Sequence, residues 1–118
     1  MEEYDLSYRI LDAGYSIVYS SKIVMLHKES PLGRKPKEEK LRMMWVNKSK
    51  VCWRYLPLKY FISTTFLWSL FYLKNTGFHI KGWIKAWKDV SSITKSPRTP
   101  ISKEALDYLK TLNSRLWY

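Results

Sequence analysis

The residues with the clearest capacity for chemistry stand near the start of the chain. Glu2 and Glu3 are adjacent, Asp5 follows two positions on, and His27 closes the same stretch. Neighbouring carboxylates raise each other's pKa, so one of a pair held beside a hydroxyl can act as a general base. In the first turn of a helix the same residues would simply complement the helix dipole. His27 could ligate a metal or donate to a phosphate, or be a hydrogen-bonded surface imidazole. Arg34, Lys35, Lys37, Lys40 and Arg42 form a basic run suited to a diphosphate or to lipid headgroups, and equally to a solvated cationic loop.

These groups must be held by local structure, and the periodicities say which. Leu6, Ile10 and Ala13 fall near helical spacing, which predicts a first helix ending at Gly14, a residue suited to the left-handed C′ position. From Tyr15 the period becomes two. Ile17 and Tyr19, then Ile23, Met25 and His27, alternate with Val18, Val24 and Leu26, predicting one or two short, largely buried strands separated near Ser20 and Ser21. Residues 28–37 (KESPLGRKPK) read as a loop, and a helix is expected from Glu38 to about Tyr55. Pro57 suits a helix start, and residues 58–73 form the most apolar segment, with Ser63, Thr64, Thr65 and Ser69 as its polar members. That run falls short of the roughly 20 apolar residues needed to cross a bilayer, so it should pack in a core or lie in an interface. His79 to about Thr94 predicts an amphipathic helix with Ile80, Trp83, Ile84, Trp87 and Val90 on one side and lysines on the others. A proline-stiffened linker, 95–101, leads to a last helix that Ser102 would cap.

The 118 residues suffice for one domain with a modest core. Charge is unevenly placed. Residues 1–27 carry four acidic and two basic side chains, a balance of −2, and the remainder carries 19 basic and 6 acidic, a balance of +13. Such a surplus favours polyanions: nucleic acid, anionic lipid headgroups or diphosphates. No helix-turn-helix, zinc-finger or RNA-recognition signature supports the first. The single Cys52 excludes an intramolecular disulfide and a Cys-cluster zinc site. Gly-x-Gly-x-x-Gly, P-loop, Asp-x-Asp, His-Glu-x-x-His and Cys-x-x-Cys patterns are all missing.

Taken in order, Glu2-Glu3-Tyr4-Asp5-Leu6-Ser7-Tyr8-Arg9, then Gly14-Tyr15, then Ile17-Val18-Tyr19, then His27, resembles the C-terminal signature of glycosyltransferase family 2. Members of that family have the GT-A fold. The resemblance implies that Glu3, with Glu2 beside it, is the base that deprotonates the acceptor hydroxyl in an inverting transfer, although Asp is common where Glu3 stands. It implies that Asp5 and Arg9 shape the substrate or diphosphate site, that His27 helps hold a divalent metal (Mg or Mn) or the donor diphosphate, and that Arg34 lies in a loop closing over it. Trp45-Val46-Asn47 resembles the Arg-Asn segment that follows, with Val46 in place of the usual Arg. It also implies a basic, aromatic helical tail near the membrane.

The donor-binding βαβ half and its Asp-x-Asp motif have no counterpart here. A complete enzyme would need roughly a hundred or more residues ahead of Met1. The expectation is therefore an α+β, mostly α chain: residues 1–37 as the C-terminal edge of a GT-A domain, with an N-terminal helix and short β-hairpin, and residues 38–118 as a tail of about four helices. Its expected role is the C-terminal fragment of an inverting glycosyltransferase, inactive without its nucleotide-binding half. Its partners would be a nucleotide-sugar, a glycan or lipid-linked acceptor, the missing half and an anionic membrane, with no nucleic acid. It would be cytoplasmic, peripheral at the inner face of the membrane. The alternative is a non-enzymatic basic amphipathic module binding anionic membrane surfaces through residues 58–88.

Overall fold

The computed structural model describes residues 2–26 and 35–116. Five helices follow one another: α1 (Glu2–Asp12), α2 (Lys37–Tyr55), α3 (Leu58–Asn75), α4 (Ile80–Ile93) and α5 (Lys103–Thr111). Among the described residues there is no strand, so the α+β expectation is corrected to all-α and the expected β-hairpin does not form. Residues 15–26 instead run irregularly, with one turn in which the Ile23 amide donates to the Ser20 carbonyl at 3.3 Å. The physical reason is the missing partner. A two-stranded hairpin is marginal without a third strand or a helix beneath it, and among the described residues nothing buries Val18, Tyr19, Ile23, Val24, Met25 or Leu26, all of which are exposed. The expected end of the hairpin at His27 lies outside the described residues.

α2, α3 and α4 form the core. Trp45 of α2 is fully buried, with its ring 5.9 Å from that of Tyr72 on α3 and 5.5 Å, edge-on, from that of Trp87 on α4. Pro36 and Pro57 precede α2 and α3, where a fixed φ favours helix entry. The α2–α3 contact is made by small hydroxyls as well as rings: Thr65 donates to Ser49 at 3.0 Å, and Cys52 lies 3.5 Å from the Thr64 hydroxyl. Trp83 of α4 donates its indole N–H to Ser69 of α3 at 2.8 Å. Much of the apolar face expected on α4 is spent inside, with Ala86, Val90 and Ile93 buried and Trp83 and Trp87 packed on the core, while Ile80 and Ile84 stay exposed.

Residues 95–101 finish α2 instead of merely linking helices. Arg98 donates to the Trp53 and Leu56 carbonyls at 2.9 and 2.6 Å, and its guanidinium lies over the Trp53 ring. The Thr99 and Ile101 amides take the Arg54 and Tyr55 carbonyls. These are carbonyls a helix C-terminus leaves without intrahelical partners. Ser102 then caps α5, accepting from the Ala105 amide at 3.2 Å.

Candidate functional site

α1 carries the acidic residues, and its placement follows from two carboxylates that point at the rest of the molecule. Asp5 accepts from the Tyr55 hydroxyl at 2.7 Å and pairs with Arg9, 3.3 Å away one turn on, and with Arg54 at 3.6 Å. Asp12 accepts from the Ser102 amide at 2.6 Å, fastening the other end of α1 to the start of α5. Between them Tyr8 is buried, its ring 5.6 Å from that of Tyr55. Burial drives the Tyr8 phenol well above its ordinary range, with smaller contributions from Cys52 and Tyr4. Tyr55 is raised chiefly by burial and then by its bond to Asp5, which holds its proton.

At 100° per residue, Glu3 falls on the face of α1 opposite Asp5, Tyr8 and Asp12. It is exposed there, and its carbonyl accepts from the Ser7 hydroxyl at 2.6 Å. The helix thus has two acidic aspects: one turned inward to hold α1 in place, the other turned to solvent. Of the residues singled out from the sequence, Asp5 and Arg9 are brought together as an ion pair and Glu3 is set on the far side of the same helix. Glu2 begins α1. His27 and Arg34 lie outside the described residues. Among the described residues no three His, Cys, Asp or Glu side chains converge as a metal site.

A second constellation escaped the sequence reading. An open groove of about 560 Å³ lies between the first turns of α2, the end of α3 and the start of α4, lined among others by Glu38, Glu39, Arg42, Lys81 and Lys85. Tyr72, almost fully buried, reaches its floor and hydrogen-bonds His79 Nδ1 at 3.1 Å. Gly82 makes this possible: a Cβ there would sit 2.1 Å from the Tyr72 hydroxyl and 2.7 Å from His79 Nδ1. Gly77 and Phe78 both adopt positive φ on the approach to His79. Opposite charges share the walls. Arg42 is ion-paired with Asp89 and Lys35 with Glu39, whose carboxyl is lowered chiefly by the Lys35 hydrogen bond. An isolated glycine inside a helical pattern was the available signal, since it costs about 1 kcal/mol against Ala unless something crowds it.

No protein-family model, curated protein or solved structure matches this chain.

Proposed function

We propose that this chain is the acceptor-side, C-terminal portion of an inverting family 2 glycosyltransferase, which moves a sugar from a nucleotide-sugar donor to a glycan or lipid-linked acceptor in envelope polysaccharide assembly. The observation that carries this reading is the ordered run from Glu2-Glu3-Tyr4-Asp5-Leu6 through Arg9, Gly14-Tyr15 and His27. The geometry of α1 is compatible with it: Asp5 and Asp12 fix the helix while Glu3 stays on its solvent face. In the assembled enzyme the Glu3 carboxylate takes the proton of the acceptor hydroxyl as that oxygen attacks the anomeric carbon. The glycosidic bond to the nucleoside diphosphate breaks with inversion, and Arg34 offsets charge on the departing phosphate. The divalent metal belonging to such chemistry would be held chiefly by the nucleotide-binding half, with His27 as this chain's contribution. Alone, the chain transfers nothing. It works at the cytoplasmic face of the membrane as a peripheral protein.

The test is to supply a donor-binding half, fused or as a separate chain, and to compare transfer with Glu3→Gln and His27→Ala. The reading expects Glu3→Gln to lose about 100-fold or more, the scale of general-base catalysis. Full activity in both variants would sink it.

A second reading, a non-enzymatic module on anionic membrane, is favoured by a separate observation. The outward side of α3 exposes large apolar side chains in a chain of net charge +11.

A further inference from the structure

α3 is apolar on its outward side as well as its inward one. Its inner side buries Phe61, Trp68 and Tyr72 together with the small hydroxyl residues Thr64, Thr65 and Ser69, whereas Leu58, Ile62, Phe66 and Leu70, at successive four-residue steps, face solvent. Ile62 and Phe66 are 58% and 56% exposed, and Leu67 and Phe71 widen the same side. A helix that met only protein and water would carry polar side chains on that outward side. An exposed apolar stripe several turns long marks a surface that is covered in use.

Charge says by what. From Leu58 to Ile93 the acidic side chains number one, Asp89, and it is ion-paired with Arg42. The same span holds Lys59, Lys74, Lys81, Lys85 and Lys88, all exposed. Lys59 and Lys74 stand at the two ends of the stripe, about 22 Å apart along the helix axis. A second copy of the chain docking through this face would bring like charges together, whereas a surface of phosphate headgroups would satisfy them. No described helix is long and apolar enough to cross a membrane.

We propose that the outward face of α3 is the docking surface for an anionic phospholipid bilayer. The helix lies in the plane of the interface, its Ile62–Phe66–Leu70 ridge about 5–10 Å into the headgroup boundary. Lys59 and Lys74 reach back to lipid phosphates, with their alkyl stems along the apolar face. This names the membrane-facing element that both readings above require. It rests on their membrane component and on none of the transfer chemistry.

The experiment is flotation of the 118-residue chain with vesicles of equimolar phosphatidylglycerol and phosphatidylcholine, and with phosphatidylcholine alone. The chain floats with the anionic vesicles and is released from them by salt. Phe66→Glu with Leu70→Glu, at exposed positions, weakens that binding roughly tenfold or more while helical circular dichroism is retained. An environment-sensitive label at Leu70→Cys blue-shifts on binding, and one at Ser91→Cys, exposed on α4, does not; this second readout stands whether or not the double variant folds. Failure to float, or binding undiminished in the folded double variant, or equal label shifts at both positions, overturns the proposal. So does a sedimenting dimer that the double variant dissociates, because the occupant is then a second copy. Flotation involves no sugar transfer, so its failure is separable from a failure of the Glu3 assignment.

Discussion

Asp5 shows how much one side chain can decide. Its carboxylate is shared by the Tyr55 hydroxyl, Arg9 and Arg54, with about a third of its surface in water. Asp5→Ala should destabilise the chain by about 1–2 kcal/mol in urea unfolding, since a buried phenol loses a charged acceptor while the ion pairs are solvent-screened. Tyr55→Phe in the Asp5→Ala background should then cost little more. Gly82 offers the sharper test. On propensity alone Gly82→Ala should stabilise a helix by about 1 kcal/mol, yet the added methyl meets the hydroxyl of a tyrosine that has no room to swing. We expect a net loss of about 1–3 kcal/mol, largely relieved by Tyr72→Phe. A double-mutant cycle by thermal or urea melts reads the coupling directly. At this scale the sequence spoke through residues whose constraint is local. Gly14 stops α1 with φ at 83°, and Ser102 caps α5, because both depend on a few neighbours. The Asp5–Tyr55 and Tyr72–His79–Gly82 groupings depend on how helices dock, which no local spacing encodes.

The helices were legible as elements, and the bounds of α1 to α4 lie within about two residues of the periodic runs and proline starts, whereas the apolar spacing that runs on to Leu116 outlasts α5, which ends at Thr111. Two properties were not. Residues 15–26 have a genuine period-two pattern, but a pattern states which faces would be buried, not that a ladder is there to bury them. Without a partner in the described chain, their apolar side chains stay exposed. The second concerns which apolar face is spent. The stretch expected to meet a membrane, 58–88, spans α3 and most of α4, yet the α4 tryptophans are drawn inward against Trp45 and Ser69. The larger free face belongs to α3, which turns Phe61, Trp68 and Tyr72 inward with the small Thr64, Thr65 and Ser69 between them. Periodicity cannot assign inside and outside on a helix that is apolar nearly all round. The loss of vesicle binding expected for Phe66→Glu with Leu70→Glu therefore tests a property of the element's docking, not of its sequence alone.

Taken whole, the molecule hides several protons from alkali. The Cys52 thiol is raised above its ordinary 9.0 chiefly by burial, and the Tyr8, Tyr55 and Tyr72 phenols are raised above 10.0 chiefly for the same reason. Folded-state values above unfolded ones mean that the unfolded chain releases these protons first. The stabilisation is complete below about pH 9 and is lost as pH climbs through and beyond 10. Urea midpoints should thus fall steadily above pH 9, and Cys52→Ser should remove the earliest part of the fall. Cys52 should also resist alkylation at neutral pH until the chain unfolds, which mass spectrometry reads. The lopsided charge and aromatic content were plain from composition, and a mostly helical body from periodicity. What composition could not give is the arrangement in which α1, clamped by Asp5 and Asp12, turns Glu3 outward from a basic helical body. The most direct test of the central claim is the turnover number of the assembled transferase, chain plus donor-binding half, with Glu3→Gln against the unaltered chain. The account predicts a drop of about 10²–10⁴-fold with donor KM nearly unchanged, as removal of a proton acceptor requires. An unchanged turnover number would contradict it.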